Sequence, residues 1–401
     1  RPRVERLGSA LADNLTLVLS QLPRRPVGPQ ILASTLSITL ASASRLLKAL
    51  AQTDPVATLQ IIPGPNPLRD ILSSSLACGA DPDAVKLAAA TVDEFDSLIR
   101  DEAGDRGSLK AMLSAWLPGE RGEFEARKRQ TIFKAMCELD GVSSELELSS
   151  MLLHPGSDPG FIDIVNIKCL LGIDRMRPDA AVTLGTARLV TKLDGDTKTS
   201  ETLERPRLPT ALDGTPALGG LDAVRLDEFC DAPPAPLEAV RFGTHIQYSL
   251  GPTGFGPSSK VDLVIVEVNL NEIPVRDADP KHPPYFCTIP EMATKRLTFD
   301  LIVHKDVFPG SDPVLYAYDT AARGPAPACD PKRNLDLRHV SEQLEPLGTG
   351  MTRLRLMEFP RYRALIEHVY DRLGCDAGDY RAYRINISHP LTGTQITLAF
   401  T

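Results

Sequence analysis

The chain lacks the apolar run a membrane demands: nowhere do its 401 residues approach the ~18 consecutive apolar residues of a spanning helix. No basic, apolar and small-residue leader opens it, although it does not begin with Met, so neither a membrane partner nor an export signal is expected. Cysteine is sparse and badly placed for pairing. Seven are spread from Cys78 to Cys375, an odd number with no Cys-x-x-Cys, which favours reduced thiols in a cytoplasm over a disulfide framework. The seven histidines form no His-x-x-x-His and no His-x-x-Glu-His, so no metal ligand is assigned. His282 and Cys287, five apart in a proline-rich loop, come nearest to a metal or nucleophile pair. Gly251 to Lys260 has the glycines of a phosphate loop without its Gly-Lys-Ser/Thr ending, and reads as a hairpin loop before a strand. There is no Gly-x-Ser-x-Gly elbow and no dinucleotide fingerprint, so no catalytic residue and no cofactor is assigned.

What is present suits a folded protein of several domains. Apolar residues make up 42%, too many for disorder, and the 34 prolines suggest rigid connectors. Residues 1–72 hold eight Lys and Arg against four Asp and Glu, whereas the whole chain carries a net charge of −8. A basic end on an acidic protein suits local docking on a polyanion.

The most informative stretch is Leu32-Ala33-Ser34-Thr35-Leu36-Ser37-Ile38, continuing through Thr39 to Leu50. It reads as two short helices across a tight turn. Ala33 allows close approach, Leu36 and Ile38 bracket the turn, and Ala43, Leu46, Leu47 and Leu50 form an inner face at spacings of three and four. Thr39, Ala41, Ser42, Ser44, Arg45 and Lys48 are left facing outward. After Leu50, Val56–Ile62 has the composition of a strand. A Pro/Gly break at 63–67 and a second short run, Leu68–Leu72, follow it.

The pattern Leu-Ala-x-x-Leu-x-Ile, then Ser-Arg-Leu-Leu-x-x-Leu, resembles the winged helix-turn-helix of bacterial regulators such as the IclR and MarR families. The likeness covers about 19 residues, or roughly the first 75 with its flanks. Ser37 stands where those motifs carry a turn glycine, and so must accept a positive φ. Leu40 and Ala41 stand where a base-reading helix more often carries Gln, Lys, Asn or Arg. The resemblance implies a recognition helix presenting Thr39, Ala41, Ser42, Ser44, Arg45 and Lys48 to double-stranded DNA. Arg24 and Arg25 would lie at the mouth of the motif and Arg69 on the wing.

Beyond the motif, Asp81-Pro82 reads as a helix start, and three helices are expected up to residue 139. The basic triplet Arg127, Lys128 and Arg129 on the third lies among acidic residues and reads as a solvated face. Residues 191–238 read as a long connection. Strands are expected within 243–250, 261–270, 295–304, 313–318, 352–358, 379–387 and 394–400, with a helix over 360–373 stopped by Gly374. The nearly all-apolar middle of 261–268 suggests a central strand covered on both faces.

The expected architecture is therefore multidomain. An α-rich winged helix-turn-helix (1–78) is followed by a helical linker and dimerisation region (79–143), then by an α+β part with mostly antiparallel strands (144–401). The expected function is a cytoplasmic, DNA-binding transcriptional regulator. A homodimer would supply two heads, and the larger part leaves room for a small-molecule effector. Two alternatives stay open: a protein-interaction module whose winged helix does not read DNA, and an enzyme of unknown type carrying an accessory winged helix.

Overall fold

The computed structural model describes residues 1–22, 28–177, 180–188, 210–215, 224–231, 236–242, 245–251, 260–275 and 283–400. The chain divides into two compact units, Arg1–Glu125 and Ala126–Thr401.

Among the described residues the first unit is built of helices alone. These are α1 (Pro2–Ser20), α2 (Pro29–Leu36), α3 (Leu40–Leu50), α4 (Pro55–Ile61), α5 (Pro65–Ala77), α6 (Pro82–Ser97) and α7 (Arg106–Ser114). A π turn, Leu98–Ala103, prolongs α6. Proline supplies the starts: α1, α2, α4, α5 and α6 each carry one in their first turn, where its missing N–H has no intrahelical partner to lose.

The wing expected after Leu50 is absent, and both segments read as strands are helical. Pro55 opens α4 and Asp54 caps it, its carboxylate accepting from the Val56 N–H at 2.8 Å. Val56, Ala57, Thr58, Leu59 and Gln60 are all buried, so α4 is enclosed on every side and shows no amphipathic period. Its apolar, β-branched composition copies that of a strand. The Pro63–Pro67 break is the entry into α5, with Pro65 in its first turn.

No separate helical middle exists either. Val85, Val92 and Phe95 of α6, with Leu109 and Leu113 of α7, lie in one core with Leu7, Leu11 and Leu15 of α1, Leu32 and Leu46. Of the large apolar residues in the expected dimerisation region, Leu98, Ile99, Leu109 and Leu113 are buried in this core, while Leu87, Met112, Ile132 and Leu139 stay exposed. The next helix, α8 (Pro118–Asp140), runs across the division between the units.

The second unit is built on a six-stranded sheet in the order β10-β11-β8-β1-β2-β6. Its strands are β10 (Glu345–Thr349), β11 (Tyr380–Ser388), β8 (Thr294–His304), β1 (Val142–Pro155), β2 (Phe161–Arg175) and β6 (Val261–Pro274). β1 and β8 run parallel while their neighbours pair antiparallel, so the sheet is mixed. Tyr362, Leu365, Ile366 and Val369 of α9 (Tyr362–Leu373) share a core with Leu148, Leu152 and Ile167. The opposite residues of the central strands, Leu297, Phe299, Leu301 and Ile385, pack with Ile396 and Leu398. Those two belong to a three-stranded sheet, β7 (Tyr285–Thr288), β12 (Thr394–Phe400) and β9 (Pro313–Asp319), ordered β7-β12-β9. A second small sheet, β3 (Thr183–Arg188), β5 (His245–Leu250) and β4 (Leu237–Phe242), is ordered β3-β5-β4.

Two further expectations change. β6 is the last named strand of its sheet rather than a central one. Its outer edge is met by Thr210, bridged to Val268, and Arg225, bridged to Ile265, which cover the backbone without forming a strand. The segment 252–259, expected as a hairpin loop, lies outside the described residues, and its flanks β5 and β6 belong to different sheets. Residues 352–358 are turn, bend and irregular backbone rather than a strand, and the neighbouring strand is 345–349. There the Arg355 carbonyl accepts from the Arg384 guanidinium at 2.9 Å in place of a ladder partner.

Candidate nucleic-acid interface

The α2–α3 hairpin is closed by Ser37 in the left-handed region, at φ 52° and ψ 39°, where its N–H continues α2 by bonding the Ala33 carbonyl. Ile38 bonds the same carbonyl at 3.0 Å. Thr39 then starts α3: its hydroxyl accepts from the Ser42 N–H at 3.1 Å and donates to the Ser42 hydroxyl at 2.9 Å. The Thr39 and Ser42 side chains are thus engaged in capping.

On α3, Ala43, Leu46 and Ala49 are buried. At 100° per residue, positions 40, 41, 44, 45 and 48 fall on the opposite arc. Leu40, Ala41, Arg45 and Lys48 are exposed and Ser44 is half-buried. Neither Arg45 nor Lys48 has a carboxylate partner among the described residues. No Asp or Glu occurs between Asp13 and Asp54, a stretch that holds Arg24, Arg25, Arg45 and Lys48. Behind this surface Arg106 lies over the Phe95 ring and donates to the carbonyls of Leu59 at 2.7 Å and Ile62 at 2.9 Å, at the end of α4. Burial, then the Arg45 charge, lowers its pKa to about 10, which keeps it cationic at neutral pH.

The remaining sequence-assigned residues fare differently. Arg24 and Arg25 lie outside the described residues. Arg69, expected on a wing, lies on α5 and is ion-paired with Asp93 at 2.8 Å and Asp96 at 2.9 Å on α6. The helix explains the pairing, because α5 and α6 pack side by side and present these residues to one another.

Gln30 and Ile31 are given no role by the sequence pattern, and Leu40 enters it only as a poor base reader. With Gly28, Pro29 and Ser44 they line an open cleft of about 390 Å³ between the starts of α2 and α3. Ile31 is 43% and Leu40 53% exposed, and Gln30 is exposed beside them. The available signal was their position before the inner-face residues of each helix, where they have no core to enter.

Comparison of the chain with protein-family models, curated proteins and solved structures returned no match. The functional reading therefore rests on this geometry.

The second unit holds buried polar chemistry of another kind. Asp300 on β8 is fully buried and receives a two-pronged bond from Arg384, Nε at 2.7 Å and a terminal nitrogen at 2.6 Å. Tyr362 donates to Asp300 at 2.6 Å and stands 2.9 Å from the Ser150 hydroxyl. Burial first, then the Asp300 charge, holds the Tyr362 phenol well above its ordinary pKa. These bonds are satisfied within the protein, and the network ties α9 to the sheet. His154 approaches the Tyr380 hydroxyl at 2.7 Å, with the His304 ring at 5.2 Å. No group of three or more His, Cys, Asp or Glu among the described residues is arranged to hold a metal. His282 lies outside the described residues. Cys287, on β7, has its thiol pushed up to about 11 by burial, which keeps it protonated and a poor nucleophile at neutral pH.

Proposed function

We propose that this protein is a DNA-binding transcriptional regulator whose docking element is a helix-turn-helix without a wing, α2-turn-α3. The observation that carries the reading is the outward arc of α3. Arg45 and Lys48 stand there without carboxylate partners, on a helix capped at Thr39 and within a stretch that holds no acid. Such an arc offers positive charge to phosphates while small residues beside it avoid clashes in a major groove. Two cations make few phosphate contacts, so the reading includes a homodimer that places two heads on one site, with the larger unit dimerising or sensing an effector.

The test is a salt titration of binding to duplex DNA by fluorescence anisotropy, together with sedimentation of the complex. Changing both Arg45 and Lys48 to Ala should lower the slope of log K against log salt by about two per head, with fold and stability unchanged. Two chains per duplex are expected. Unaltered affinity in the folded double variant would remove α3 from the interface. A second reading, a head that binds protein, is favoured by the exposure of Ile31 and Leu40 on the same surface. It predicts no duplex binding at low salt.

A further inference from the structure

The exposed apolar side chains at the start of α3 are unexplained by phosphate binding, which needs only charge. Leu40 and Ile31 line the cleft between α2 and α3, and Gln30 lines it with an amide that has no hydrogen-bond partner among the described residues. Ala41 is exposed next to Leu40, and Arg45 follows one turn later. Apolar tips and a single amide are thus flanked by unpaired cations, with no acid on either helix. Charge complementarity selects a polyanion as the occupant.

In a major groove the apolar feature available to Leu40, Ala41 and Ile31 is the thymine 5-methyl group. An amide such as that of Gln30 matches the donor and acceptor of an adenine edge. Both preferences point to the same base pair. We infer that this surface discriminates in favour of A·T pairs by burying thymine methyls against Leu40 and Ile31, with Gln30 reading adenine. Arg45 and Lys48 then hold the backbone and carry no sequence preference. The inference rests on the DNA-binding reading and gives it a base class.

Deoxyuridine separates the two claims, because it pairs like thymine and lacks only the methyl. The full-length protein is titrated by anisotropy against two duplexes of equal length, alternating dA·dT and alternating dA·dU. The dA·dT duplex should bind more tightly, by about fourfold for each methyl buried. Leu40→Ala, at a position 53% exposed and so neutral to folding, should collapse that ratio towards one. Arg45→Ala with Lys48→Ala should weaken both duplexes equally and leave the ratio unchanged. Equal wild-type affinity for the two duplexes overturns the inference and spares the DNA-binding reading, as does a ratio that survives Leu40→Ala. Failure to bind either duplex overturns both.

Discussion

On the interior strand β1, Glu147 is 1% exposed and neither of its carboxylate oxygens has a hydrogen-bond partner. The nearest cation is the Lys168 ammonium at 3.8 Å, which donates to the Leu184 carbonyl at 2.8 Å. Burial pushes the Glu147 pKa up from 4.5 to about 7; Lys168 opposes the rise and Glu291 adds to it. The folded state therefore binds this proton more tightly than the unfolded chain. Stability is complete below about pH 4.5 and falls as pH rises towards 7, by about 3 kcal/mol from this group alone. Glu147→Gln keeps the shape and removes the titration. Urea denaturation of both proteins at pH 5 and pH 8 should show the variant gaining on the wild type at the higher pH, and parallel pH profiles would contradict the assignment. In the sequence, Glu145-Leu146-Glu147-Leu148 alternates, which puts both glutamates on one side of a strand. Glu145 does reach Lys260 at 2.8 Å and Lys295 at 2.6 Å, but Glu147 is covered. Period fixes which side of a strand a residue takes, whereas the covering of that side is a tertiary matter.

Among the elements, legibility follows how far each start signal is local. Asp81 as cap and Pro82 in the first turn of α6, the Ser37 turn, and Gly374 closing α9 at φ 65° were readable because one to three residues decide them. The failures have a common physical cause. α4 is enclosed on every side and β6 has its edge met by distant segments, so neither displays the period or the edge that a single-chain reading uses. Helix α3 was legible through its buried residues, while the exposure of Ile31 was not, because an apolar residue in a sequence does not announce exposure. Helix α4 also depends on a close approach that only glycine permits. A Cβ on Gly8 of α1 would lie 2.1 Å from the Pro55 carbonyl oxygen, at the first turn of α4. Gly8→Ala should therefore force the helices apart and cost about 1–3 kcal/mol, despite the better helix propensity of Ala. Thermal unfolding followed by helix circular dichroism reads this directly; an unchanged or raised midpoint would mean that α1 and α4 are not held in contact at this point.

At the scale of the whole molecule, the two units have separate cores. Residues from Val4 to Leu117 form one, and those from Val142 onward form the sheet cores. Leu46 on α3 is fully buried in the first, among apolar residues of that core. Leu46→Asp should therefore unfold the first unit, because a buried unpaired charge costs several kcal/mol in a domain with only about 5–15 kcal/mol to lose. The cores of the second unit are built of its own residues, and its Asp300–Arg384–Tyr362 network is internal to it. Its strand signal and its protection from protease should persist in the variant, while cleavage opens throughout the helices of residues 1–117. DNA binding, if it resides on α3, should vanish together with that protection and not with the sheet. Limited proteolysis with mass identification of the surviving fragment is the measurement. A fragment beginning near residue 126 supports two independently folding units. Simultaneous loss of helix and sheet in one cooperative step would show that the second unit requires the first in order to fold.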